Sequence, residues 1–169
     1  MTSITAHLLV LFRRDLRCLM REVEAFPDDA TLWRTLPGIA NSAGNLALHV
    51  TGNLRHFVGA VLGGTGYVRH RDLEFSTREG TRAEVVAGLE AALAEVEACL
   101  PALRAEALAA PYPVAVSGHR PTTGLLLVHL ETHLAFHLGQ AGYLRRALTG
   151  VAGATEPMGI PDDGGAAGV

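Results

Sequence analysis

Apolar positions recur at three- and four-residue steps in four separate stretches, the period of helices that each bury one face. In the first, Leu8, Phe12, Leu16, Leu19, Val23 and Phe26 form one stripe. It predicts a helix from about Ile4 to Phe26, stopped by Pro27-Asp28-Asp29. Arg13, Arg14, Arg17 and Arg21 fall largely off the stripe and read as a solvated face. A connector from Asp28 to Asn41 carries Trp33, placed to cover one end of a core, and the turn Pro37-Gly38. Asn41-Ser42 offers an N-cap for a second helix that runs to about Leu62. Leu46, Val50, Leu54, Phe57 and Val61 give its stripe.

Gly63-Gly64-Thr65-Gly66 follows a helix instead of linking a strand to one, and the chain has no lysine, so a phosphate loop is excluded. The glycines read as a helix end. The connector then continues to Gly80. About seventeen extended residues reach ~55 Å, while a twenty-residue helix is ~30 Å long. Such a connector can return along the whole bundle and set the second and third helices parallel. Thr81-Arg-Ala-Glu84 is a capping box. It opens a third helix on Val85, Leu89, Leu93, Val96, Leu100 and Leu103, with Pro101 as a kink or early end. Ala109 to Arg120 reads as a loop with room for a short hairpin and an exposed His119. Pro121-Thr122-Thr123 opens a fourth helix that ends at Thr149-Gly150. The sum is an all-α protein, a four-helix bundle over residues 1–150, with a Gly/Ala/Pro-rich tail over 151–169 that is ordered only where it docks.

Composition narrows the functional classes. Apolar residues make up 49% and charged residues 18% of the 169, with a net charge of −3. The slightly acidic balance and the lack of a basic stripe joined to aromatics argue against nucleic acid. No apolar run is long enough to cross a membrane, and the N-terminus lacks a secretory pattern. Cys18 and Cys99 read as reduced buried thiols, which with the missing leader gives a cytoplasmic expectation.

The fourth helix carries the chemistry. His133 and His137 are four residues apart, so they share a face, with Cβ atoms roughly 5–6 Å apart, and can bind one ion. Leu134 stands where a zinc-protease HExxH motif needs glutamate. Positions 126, 130, 133, 137, 141, 144 and 148 form the helix's expected core track, which turns His133 and His137 inward and His129 to the flank. His129 and His137 are ~12 Å apart along the axis and cannot share an ion. His129/His133 is therefore the weaker pair. On the second helix His49 and His56 are likewise too far apart, and His49 is the better third ligand. Three imidazoles leave a coordination position open, the mark of a catalytic site, and suit zinc, nickel or iron. The alternative is that the three are polar core residues. Asn53, one turn from His49, is a candidate to orient a bound water or substrate, or else a structural polar residue. Asp15 is a possible inward carboxylate, while Glu131 points away from the histidine face.

Pro37-Gly38, Asn41-Ser42, His49 and His133-x-x-x-His137-x-Gly139-Gln140 together resemble the DinB/YfiT-like superfamily over roughly Ile4 to Gly150. The resemblance implies a four-helix bundle with parallel second and third helices, and a divalent metal on His49, His133 and His137. It also implies a homodimer. Characterised members include enzymes that use low-molecular-weight thiols such as mycothiol or bacillithiol. The expected function is therefore thiol-dependent S-transfer on a small-molecule substrate. Metal-dependent hydrolysis, a non-catalytic metal- or small-molecule-binding bundle and a structural dimer are the alternatives. Gln140 is expected to cap or pack near the site.

Overall fold

The computed structural model describes residues 3–153, 155, 159 and 160. Four long helices dominate it. Helix α1 spans Ile4–Glu24, capped by the Ser3 side chain. The one-turn α2, Asp29–Leu32, follows. Helix α3, Ala43–Leu54, runs on without a break as a π-helical segment, Arg55–Leu62. Next come α4 (Arg71–Ser76), α5 (Arg82–Cys99) with a 3₁₀ turn at Leu100–Ala102, α6 (Ala105–Ala109) and α7 (Thr123–Thr149). No strand forms among the described residues. Two isolated bridges, Pro111–Thr122 and Val116–His119, mark the expected hairpin. Pro101 lies in the 3₁₀ turn, so the third helix proper ends at Cys99, short of the expected Leu103.

Helix α1 packs on α5 and α7, and α3 packs on the same two. Cross-contacts fix the directions. Arg82 reaches the carbonyls of Glu24 and Phe26 at one end, and Arg13 bonds Glu97 at the other, so α1 and α5 are antiparallel. Gly88 lies against Thr51, and Glu95 bonds Arg55, so α3 and α5 run parallel, as the crossover length allows. His49 meets His133 while Leu46 lies beside Leu144, so α3 and α7 are antiparallel.

Most of the expected stripe positions fill the core: Phe12, Leu16, Leu19, Val23, Leu54, Leu89, Val96 and Leu130 are almost fully buried. Val58, Leu127 and Leu134, outside the expected stripes, join them, while Phe57, Val61 and Leu93 are only half-buried. Trp33 closes one end and donates from Nε1 to the Gly80 carbonyl at 2.7 Å, which ties the end of the crossover to the bundle. Cys18 and Cys99 are buried thiols outside any disulfide, their pKa values pushed up by burial. Two features depart from the sequence reading. The crossover is not bare loop: α4 sits within it, and Glu74 is its buried residue. The second helix ends in a π segment, and a glycine there makes room for Glu95 of α5: a Cβ on Gly59 would meet the Glu95 carboxylate. In the same π segment the Phe57 carbonyl accepts a bond from Tyr112 Oη at 2.6 Å.

The interface of α1 and α7 carries buried charge. Glu22 pairs with Arg145, both nearly inaccessible. Of the tail expected over 151–169, Val151, Ala152, Gly153, Thr155, Gly159 and Ile160 lie among the described residues. Three of them dock on this interface. Gly153 O accepts from Arg145, Thr155 donates to Glu22, and Gly159 O accepts from Arg14.

Candidate metal centre

Helix α3 starts with a capping box, Ser42 with Asn45, and Asn45 does a second job. Its Nδ2 donates to the carbonyls of Glu74 and Thr77, both at 2.9 Å, and holds α4 against α3. This brings the Glu74 carboxylate into a slot at Gly52. A Cβ on residue 52 would lie 2.1 Å from Glu74 Oε1, so only glycine leaves the room. Arg69 grips Glu74 with two bonds of 2.7 Å, and Glu74 Oε2 lies 2.9 Å from His49 Nδ1. Burial pushes the Glu74 carboxyl up, but the bonds from Arg69 and His49 outweigh it and hold the group below the usual carboxylate range. An ionised carboxylate only accepts, so the His49 proton is assigned to Nδ1. Arg69 Nη2, 3.3 Å from the same nitrogen, is the weaker partner. The free lone pair of His49 is then on Nε2.

Helix α7 supplies the other two imidazoles. His137 Nδ1 lies 2.8 Å from Gln140 Oε1, which assigns its proton to Nδ1 and again frees Nε2. The Nε2 atoms of His49 and His137 lie 3.3 and 3.0 Å from His133 Nε2. Nitrogens each 2.0–2.1 Å from a tetrahedral ion would be ~3.4 Å apart, so this donor set fits one. All three ligand atoms lie within 4.8 Å of one another. Burial, then His137, His49 and more distant cations, push His133 down to about 4, and burial also lowers His137. Three imidazoles with converging lone pairs could hold a cation, and the carboxylate and amide behind two of them hold those rings as outer-shell partners of metal-bound histidines do.

His133 and His137 are half-buried at the edge of α7's core stripe, not on it. The stripe runs through Leu127, Leu130, Leu134, Leu138 and Ala141. This edge position opens the centre to a cavity. His129 stacks on His133 with ring centroids 5.9 Å apart and stays outside the trio, as its rotation on the helix required. Asn53 and His56 join His129 in lining a cavity of about 400 Å³ against His49 and His133. On the other side, past Gln140, lies an apolar groove of about 430 Å³ bounded by Leu36, Ile39, Leu46 and Leu144. Asp15 is elsewhere: it bonds Arg14 and lies against Glu131 across the α1–α7 interface. Burial and that neighbour hold the Glu131 carboxyl well above its usual range.

The sequence reading missed Glu74, Arg69 and the clamp made by Asn45. One signal was available. Gly52 interrupts an apolar helix three residues after His49, and such a glycine usually marks a close approach.

The fold and the site define a DinB-like helical bundle with three convergent histidines. Residues 7–150 match the family model described as Mycothiol-S-transferase, and the chain belongs to that family. Among solved structures, that of a conserved protein from Enterococcus faecalis aligns with a TM-score of 0.71, covering 89% of this chain and 100% of that one. At 18% identity the likeness is one of fold. No curated protein matches this chain. No helix among the described residues is long and apolar enough to cross a membrane.

Proposed function

We propose that this protein is a divalent-metal-dependent S-transferase that joins a low-molecular-weight thiol to a small electrophile, with His49, His133 and His137 as metal ligands. The observation that carries the reading is the convergence of the three Nε2 atoms, two of them with Nδ1 engaged by Glu74 and Gln140. Membership of the mycothiol S-transferase family supports the choice of a thiol. The chemistry an ion supplies in such a site is to favour a coordinated thiol as its thiolate. The chain's own part is to fix the rings. Glu74, neutralised by Arg69, orients His49, and Gln140 orients His137. In the overall reaction the S–H bond breaks and a sulfur–carbon bond forms at the electrophile; a displaced group leaves with its bonding electron pair and the proton is released, or, where the thiol adds to a double bond or strained ring, the proton ends on the electrophile. Hydrolysis is the weaker reading, because it needs a free base beside the site. Asp15 and Glu131 face each other, and Glu74 is held by Arg69.

The test is the metal content of untagged protein beside His49→Ala and His137→Ala. About one equivalent per chain, lost in both variants while the helical circular dichroism persists, is the expected result. Thiol-dependent consumption of an electrophile such as chlorodinitrobenzene then separates an enzyme from a binding protein. Wild type that takes up neither zinc, nickel nor iron sinks the proposal. We further propose a homodimer. The exposed stripe Leu125, Val128, Phe136 and Tyr143 along α7 supports it, and a monomeric mass by light scattering at micromolar concentration refutes it.

A further inference from the structure

We propose that the cavity between α3 with its π segment and α7, roofed by the 114–117 turn, receives the hydroxyl-rich body of the thiol, and that Asn53 positions it. This rests on the thiol-transfer reading above. Four observations carry it.

His49 and His133 form the inner wall, so a molecule filling the cavity abuts the centre. Its volume of about 400 Å³ lies in the usual range of small-molecule sites, roughly 300–1,000 Å³.

Asn53 is only 9% exposed, yet its Oδ1 is buried without a hydrogen-bond partner. A buried acceptor left unpaired is unfavourable and calls for a donor. Carboxylates and phosphates offer none. Hydroxyl and amide N–H groups do, and so does water.

The other polar lining is of the same kind. Burial, then the charge of Arg69, lowers the pKa of His56, which favours the uncharged ring. Neutral imidazole and the Ser117 hydroxyl both donate and accept, which matches hydroxyls. The charge of Arg69 is already taken by Glu74. Arg71 alone adds an exposed cation, stacked on Phe75. The lining is thus suited to a neutral polyol over an anion.

The apolar groove on the far side of Gln140 would leave such hydroxyls unpaired against Leu36, Ile39 and Leu46. Mycothiol, the thiol in the family's description, consists of a cysteine joined to an aminosugar and a cyclitol. It therefore has the required chemistry.

The experiment uses the cysteine-free N-acetylglucosaminyl-inositol as probe, which is neutral and has neither a sulfur nor a free amine to ligate a metal. It is titrated calorimetrically into the purified protein before and after chelation. We expect binding in both states. Asn53→Ser and, at an exposed position, His129→Ala should each weaken it about tenfold, the loss of one good hydrogen bond. Metal content should not change in either variant. In the conjugation assay the KM for mycothiol should rise by the same factor, with the KM for the electrophile unmoved. Absence of probe binding, equal binding to both variants, or a rise in the electrophile KM alone overturns the assignment. Equal binding would mean that Asn53 serves an ordered water. Probe binding that depends on Asn53 in a chain that takes up no metal would sink the metal-dependent reading and support the cavity assignment. Full metal with no probe binding does the reverse.

Discussion

Replacing Gly52 with alanine sets a helix-propensity gain against the loss of a slot. Alanine in a helix interior is favoured over glycine by about 1 kcal/mol. The new Cβ would stand 2.1 Å from Glu74 Oε1, so the carboxylate must leave. It now accepts two bonds from Arg69 and one from His49. Bonds to charged groups contribute about 1.5–3 kcal/mol each. Losing or weakening two of the three outweighs the propensity gain and leaves a net destabilisation of about 2–4 kcal/mol. For a domain of this size that lowers Tm by roughly 5–15 °C. Gly139 is the internal control. It too lies within a helix, but a Cβ there meets nothing within 4 Å. Gly139→Ala should therefore stabilise by about 1 kcal/mol. Thermal melts followed by far-ultraviolet circular dichroism read both signs. Metal affinity adds a second readout, expected to fall about 10- to 100-fold in Gly52→Ala as an outer-shell partner is displaced. If Gly52→Ala melts at or above the wild-type temperature, the slot is not a constraint and the account of Glu74 is wrong.

Three further outcomes follow from the buried charges. The Glu74 carboxyl is held below its ordinary pKa, so its stabilisation is complete above the unfolded value of ~4.3 and is lost as pH falls through the folded one. Acid melts should thus show a loss in wild type that is missing from Glu74→Gln. In metal-free protein the His133 imidazole should titrate near about 4 by nuclear magnetic resonance. Between the unfolded value near ~6.5 and that midpoint, only the unfolded chain takes up the proton, so stability falls as pH drops; a midpoint above 6 would contradict the burial of the site. Arg145→Ala strands Glu22 and should destabilise by about 3–5 kcal/mol, read by chemical denaturation, while Arg145→Ala combined with Glu22→Ala should recover part of it.

The four long helices were legible because each carries an apolar period, and the histidine trio because two of its members are four residues apart on one helix. Helix α4 was not, since its buried residue is a carboxylate and it shows no apolar stripe to read. Glu74 becomes intelligible only when Asn45, Gly52 and Arg69 surround it, and two of these lie more than twenty residues away. The same reason hid Glu22, Glu131 and Arg145: a polar residue on a helix reads as solvated until its partner across the interface is known. The π segment escaped because Val58 is buried and Phe57 and Val61 partly so under either helix type. His133 and His137 were placed one step too far inward, for the core stripe runs through their neighbours Leu134 and Leu138.

The π segment has one more consequence. With each carbonyl bonded five residues on instead of four, residues 55–62 pack more chain into a given axial length than the helix before them. A one-residue deletion there could be absorbed by tightening to ordinary α-helix, with the ends of the helix kept in place. His49, upstream of Leu54, would keep its bearing, while Gly59 and the carbonyl met by Tyr112 would turn to new directions. The floor of the cavity could therefore change its contour by insertion or deletion while the histidines beside it stayed in register.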